Sequence, residues 1–175
     1  MITITSSTVS ACSVKDGTLD AEVFPKEPVK GKVSLMSHPE EEMQDKVISW
    51  PGEYDFDGMT LRAIGQEAGK QVSYTASIDG IRCGFVDQPV MDWTDSDLQL
   101  IGDVDILLVR ADDQKKTAAL VEAVDPRVVL IVPTKEIDVA ATAKACGAKD
   151  VQTVSEFKAK AGSLPSDTRQ VLVLK

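Results

Sequence analysis

The sequence predicts an α/β protein of α+β layering. A β-rich half, residues 1–88, is followed by a half, 89–175, that alternates strand and helix. Three observations carry this. Short alternating runs such as Ile2 to Thr5 and Leu19 to Phe24 recur through the first half. Asp16-Gly17 and Asp79-Gly80 stand between such runs, and Asp-Gly favours a tight hairpin. From Val104 onward, continuous apolar runs of strand length alternate with stretches that open like helices, as a sheet buried on both faces requires.

Each element follows in order. Ile2 to Thr5 and Val9 to Val14 read as strands, Lys15-Asp16-Gly17 as a turn, and Leu19 to Phe24 as a strand that Pro25 stops. Pro28 and Gly31 make residues 26–32 a loop. Val33 to Met36 is a strand, Glu40, Glu41 and Glu42 precede a short helix through Lys46, and Val47 to Trp50 is a strand. Residues 51–58, PGEYDFDG, are turn-rich, and strands follow at Met59 to Ile64, Val72 to Ile78 and Ile81 to Val86. Thr94 and Asp97 form a capping box for a helix to about Ile101. Val104 to Val109 is a buried strand, and Asp112 or Asp113 caps a helix that Asp125-Pro126 ends. Val128 to Val132 is a strand, Thr134 opens a helix ending at Cys146-Gly147, and strands at Val151 to Val154 and Val171 to Leu174 complete the chain. One domain, 1–175, accommodates both halves.

Composition excludes several functions. The formal net charge is -9 and Lys115-Lys116 is the only adjacent basic pair, which argues against nucleic acid. No apolar run spans a bilayer, and the N-terminus lacks the basic and apolar regions of a secretory signal. A cytoplasmic, membrane-free protein is expected. The three cysteines, Cys12, Cys83 and Cys146, form no Cys-x-x-Cys pair, so neither a finger-type zinc site nor a disulfide framework is expected. Buried, inert thiols are the favoured reading over a nucleophile at Cys12 or Cys83.

The ordered motifs add a resemblance. Residues 46–64, KVISWPGEYDFDGMTLRAI, resemble a segment of the metallo-β-lactamase superfamily, in the branch of small metal-dependent hydrolases related to the ascorbate-phosphate lactonase. IDGIRCGFVDQPV (78–90), LQLIGDVDILLVRAD (98–112) and VDPRVVLIVPTKE (124–136) resemble its later segments in the same order. The resemblance implies a four-layer αββα sandwich. It also implies a site for two metal ions whose shared water, deprotonated near neutral pH, attacks an ester, amide or phosphoester.

The ligands for that site are mostly missing. The family's metal loop reads here Ser37-His38-Pro39-Glu40-Glu41-Glu42, and His38 matches either the first or the second histidine. The family's N-terminal Gly-His-Ser segment falls on residues 6–13, without a histidine. Asp87 matches the bridging aspartate, Val90 lies near the place of the next histidine, and Lys135 near the last. The candidate metal ligands are therefore His38, Asp87 and Glu40, read as vestigial. A single histidine in 175 residues cannot supply the usual ligand set under any alignment.

The reading is a degenerate member that has lost dinuclear hydrolase activity, holds no cofactor, and acts by binding or by self-association as a homo-oligomer. The alternative is a divergent hydrolase of phosphoesters or lactones, with one divalent ion (Zn, Mn or Mg) on a reduced, carboxylate-rich site. The sequence names neither the small-molecule substrate nor a partner.

Overall fold

A computed structural model describes residues 1–56, 58–135 and 137–175. Asp57, in the turn-rich segment 51–58, and Glu136, in the stretch read as the start of the third helix, lie outside the described residues. The strands are β1 (Ile2–Ser6), β2 (Cys12–Asp16), β3 (Leu19–Val23), β4 (Val33–Leu35), β5 (Val47–Ile48), β6 (Gly52–Phe56), β7 (Met59–Gln66), β8 (Gln71–Ile78), β9 (Ile81–Val86), β10 (Ile106–Ala111), β11 (Val128–Pro133), β12 (Gln152–Val154), β13 (Glu156–Ala159) and β14 (Gln170–Leu174). The helices are α1 (Asp95–Ile101), α2 (Gln114–Val124) and α3 (Val139–Ala145).

Two sheets result, and the expected mixed α/β sandwich is observed. One sheet runs β13-β1-β2-β3-β4-β5 and the other β12-β14-β11-β10-β9-β8-β7-β6. In the second sheet, β9, β10, β11, β14 and β12 are mutually parallel, and β6 to β9 form an antiparallel meander.

The side-chain period of two assigns the faces. Ile81, Cys83 and Phe85 of β9, Ile106 and Leu108 of β10, and Val128 and Leu130 of β11 join Ile2, Ile4, Val14, Ala21, Val23 and Leu35 of the first sheet in one core. The alternate residues, Val86, Leu107, Val109, Val129 and Ile131, form a second core with Leu120, Val121 and Ala143 of the helices. The described helices rest on this second sheet: α1 against β7, α2 against β10 and α3 against β14.

The outer face of the first sheet carries a polar network. Glu22 is 2% exposed. It accepts hydrogen bonds from Ser13 Oγ (2.6 Å), Ser10 Oγ (2.5 Å), Ser7 Oγ (3.2 Å) and Lys32 Nζ (2.6 Å). Burial alone would raise its pKa, but Lys32, Ser10 and Ser13 together bring it below the ordinary glutamate value.

Caps decide where the helices begin. Thr94 and Asp97 form the expected box. Asp113, not Asp112, caps α2 by accepting from Lys116 N–H at 2.9 Å. Asp112 instead accepts from Val90 N–H at 2.8 Å. The third helix opens at Asp138 rather than Thr134, because Asp138 accepts from Ala141 N–H while the Thr134 hydroxyl donates to the Ala111 carbonyl. Residues 40–46 form no helix. Three adjacent glutamates repel, and Met43 is 97% exposed, so no apolar face holds a helix there. Residues 9–11, read as the start of a strand, belong to a loop that the Glu22 network gathers. Strand β13 was not expected, since only Ala159 in it is buried, and it forms by antiparallel pairing with β1.

Tyr74 ties the two sheets at the edge where β4 ends. Its buried hydroxyl lies within hydrogen-bonding distance of the carbonyls of Met36 and, at 2.7 Å, Ile48, and its one proton serves either in turn. Beside it, Val72 N–H donates to the Ser37 carbonyl at 2.8 Å.

Two outcomes follow. Tyr74→Phe strands a buried carbonyl and should lower stability by about 1–3 kcal/mol, read as a lower urea midpoint; an unchanged midpoint would show that the tie contributes nothing. Glu22 stabilises the fold fully above the unfolded glutamate pKa of about 4.3, and that stability is lost as pH falls through the lower folded value. In urea titrations across this acid range, Glu22→Gln should show a weaker pH dependence than the parent chain.

Candidate functional site

The site forms where the alternation of the second sheet runs off the ends of its parallel strands. Asp87 continues the inward-facing series of Ile81, Cys83 and Phe85, one residue beyond β9. Arg110 continues the series of Ile106 and Leu108 on β10. Val86 pairs with Val109 in parallel register, so the next residues, Asp87 and Arg110, stand side by side. Carboxyl ends of parallel strands are the usual place for ligand sites in such sheets.

Asp87 is 3% exposed. Its Oδ1 lies 3.0 Å from Arg110 Nη1 and accepts from Gln88 N–H at 2.8 Å. Burial raises its pKa above the ordinary aspartate value, and Arg110, Ser37, the Gln88 amide and His38 pull it back only in part. A carboxylate kept where the fold disfavours its charge is a functional-site signal. The loop that carries it is firmly held. The Gln71 side-chain amide donates to the carbonyls of Asp87 (3.2 Å) and Pro89 (3.1 Å), and the Gln88–Pro89 peptide is cis.

The metal-loop candidates approach from the other sheet. Ser37 Oγ lies 2.8 Å from His38 Nδ1 and is close enough to Asp87 to help lower its pKa. The order is therefore imidazole, hydroxyl, carboxylate, guanidinium. In a nucleophilic triad the imidazole stands between hydroxyl and carboxylate, so this arrangement does not activate Ser37. Glu40 is placed by its backbone: its N–H donates to Ser49 Oγ and its carbonyl accepts from Trp50 Nε1.

His38, Glu40 and Asp87 line one cleft of about 420 Å³, together with Ser37, Lys26, Gln88 and Arg110. The structure thus brings all three predicted residues to one place. It does not bring them into a metal cage: among the described residues, no three His, Cys, Asp or Glu side chains group to hold an ion. The guanidinium of Arg110 occupies the carboxylate that the resemblance assigned to bridging metals. The residues present do not fit a dinuclear centre, which needs several imidazoles and free carboxylates.

The cysteines are buried, and burial raises each thiol. The Glu22 carboxylate and Cys83 add to this at Cys12, and Cys146 is pushed up to about 11 despite Arg169. Protonated thiols of this kind are poor nucleophiles, which favours the inert reading of the cysteines.

Arg110, Ser37, Gln71 and Lys26 were not singled out from the sequence. Arg110 had a usable signal: an arginine closing a strand, in phase with its core-facing residues. The others meet the site only through contacts between distant segments.

No family model matches the chain, and no curated protein matches it. Solved structures do. One is a protein of the metallo-β-lactamase superfamily from Thermotoga maritima, proposed there to be a zinc-dependent hydrolase. The TM-score is 0.78 at 17% identity, over 99% of this chain and 98% of that one. Another is the metallo-β-lactamase fold protein YhfI from Bacillus subtilis, with a TM-score of 0.60 at 7% identity over 99% and 96%. The chain has the metallo-β-lactamase fold. No described helix is long and apolar enough to cross a membrane.

The ion pair makes a pH-dependent prediction. The folded pKa of Asp87 exceeds the unfolded value of about 3.9, so its contribution to stability falls as pH rises through that window. Arg110→Met removes the counter-charge, raises the folded pKa further and enlarges that fall. Arg110 is 28% exposed, so the cost at pH 7 should be about 1–3 kcal/mol, below that of a fully buried pair. Urea midpoints should converge with those of the parent as pH falls below 4; a pH-independent difference would mean that Arg110 acts by packing alone.

Proposed function

We propose that the protein is a non-catalytic member of the metallo-β-lactamase superfamily, which binds a ligand or a further copy of itself at the former active-site cleft. The observation that carries this reading is the Asp87–Arg110 ion pair. A fixed guanidinium supplies the positive charge that a metal would otherwise supply to Asp87, and a cation arriving beside it meets like charge. The single histidine and the lysine at residue 135 point the same way. The cleft remains open, lined by a held loop and a positioned hydroxyl, as a binding site requires.

A second reading has one observation in its favour. His38, Glu40 and Asp87 share the cleft, so a rearranged Arg110 would leave oxygen and nitrogen ligands for one divalent ion and slow hydrolysis of a phosphoester or lactone.

Elemental analysis of tag-free protein prepared without chelators separates the two, with bis(4-nitrophenyl) phosphate and a γ-thiolactone assayed in the presence of Zn²⁺, Mn²⁺ or Mg²⁺. The expected result is well below one equivalent of metal per chain and no release above buffer. Stoichiometric metal with turnover that His38→Ala and Asp87→Asn abolish would establish the hydrolase instead.

A further inference from the structure

A second cleft of about 640 Å³ adjoins the first, and the two share Phe24, Lys26 and Arg110 in their walls. Its charge is opposite to that of the molecule. The chain carries a net charge of -9, yet Lys26, Arg110 and Lys135 line this cleft and, among the described residues, no aspartate or glutamate side chain does. Lys175 also lines it. Elsewhere the described basic side chains are often paired: Lys15 with Asp20, Lys32 with Asp20 and Glu22, Arg62 with Glu53, Arg82 with Asp103, Arg169 with Asp125. Among the described residues Lys26 and Lys135 have no such partner. Arg110 spends one nitrogen on Asp87, leaving most of its five N–H donors without a protein acceptor among those residues.

Three cations with free donors around one concavity, on a molecule that otherwise repels anions, form a focused positive site. The remaining walls combine apolar side chains, Phe24, Val132 and Pro133 among them, with the hydroxyl-bearing Ser6, Ser7, Thr8 and Ser10. The loop that closes one side is pre-ordered, since Ser7 and Ser10 are anchored on Glu22. A cleft of this volume exceeds a lone oxyanion, so the occupant has both a charged head and an apolar body.

We infer that the joined clefts bind a small organic oxyanion, a phosphate or carboxylate head on Lys26, Arg110 and Lys135 with its apolar body against Phe24 and Val132. This names the ligand class for the binding function proposed above and rests on that reading; the two fail in different ways.

Titration calorimetry with 1-naphthyl phosphate at low salt, with 1-naphthoate and inorganic phosphate in parallel, tests it. The expected result is saturable binding of naphthyl phosphate, weakened at least tenfold by the double variant Lys26→Gln/Lys135→Gln and by 0.5 M NaCl, and unchanged in Lys15→Gln. Both lysines are exposed, so the double variant should fold, which its urea midpoint checks. Tighter naphthoate than naphthyl phosphate would assign a carboxylate head; the reverse assigns a phosphate head. Absence of binding by all three probes, or binding that the double variant leaves intact, overturns the anion site and leaves the non-catalytic reading standing. Binding with release of fluorescent 1-naphthol keeps the site and overturns the non-catalytic reading.

Discussion

The second sheet is buried on both faces, and the rest of the structure depends on that constraint. Helices must cover one face and the first sheet the other, or a large apolar area meets water. Every strand of its centre must then be apolar at both parities. Polar chemistry is therefore excluded from the middle of the sheet and confined to the ends of its strands. Asp87 and Arg110 stand at the first positions where the alternation can change character without opening the core.

Confinement also explains why these two residues are paired. A carboxylate 3% exposed is disfavoured as an ion unless a cation or several donors meet it. The fold supplies Arg110, the Gln88 amide and Ser37, and still leaves the Asp87 pKa raised. Glu22, on the opposite side of the first sheet, is buried to a similar degree but gathers three hydroxyls and Lys32, and its pKa is lowered. The contrast is instructive: at Glu22 the surroundings fully compensate burial, as a structural carboxylate requires, whereas at Asp87 they do not. In the reading proposed for this protein, Arg110 brings to the cleft a permanent charge that cannot dissociate, and with it affinity for anions in place of metal chemistry.

Much of the fold was legible because it is encoded locally. The capping box at Thr94 and Asp97 needs only residues three apart, and the Asp79-Gly80 hairpin only a two-residue turn. The runs at Ile106 to Val109 and Val128 to Val132 announce a doubly buried sheet by composition alone. Elements that depend on distant partners were not legible. Strand β13 exists because β1 offers it an edge, and Thr134 fails as a cap because its hydroxyl finds Ala111, 23 residues away.

The sequence by itself determined what the site lacks. One histidine rules out an imidazole-rich dinuclear centre before any coordinates exist, because ligand count is a property of composition. It also placed His38, Glu40 and Asp87 on the segments that line the cleft. Only the tertiary structure decided what fills the gap. The Asp87–Arg110 pair spans two strands, the Ser37 contact spans two sheets, and Lys26 and Lys135 meet in one wall from opposite halves of the chain. Charge in a cleft is set by which side chains converge there, and convergence across more than a hundred residues is written in the packing of the layers, not in any local pattern.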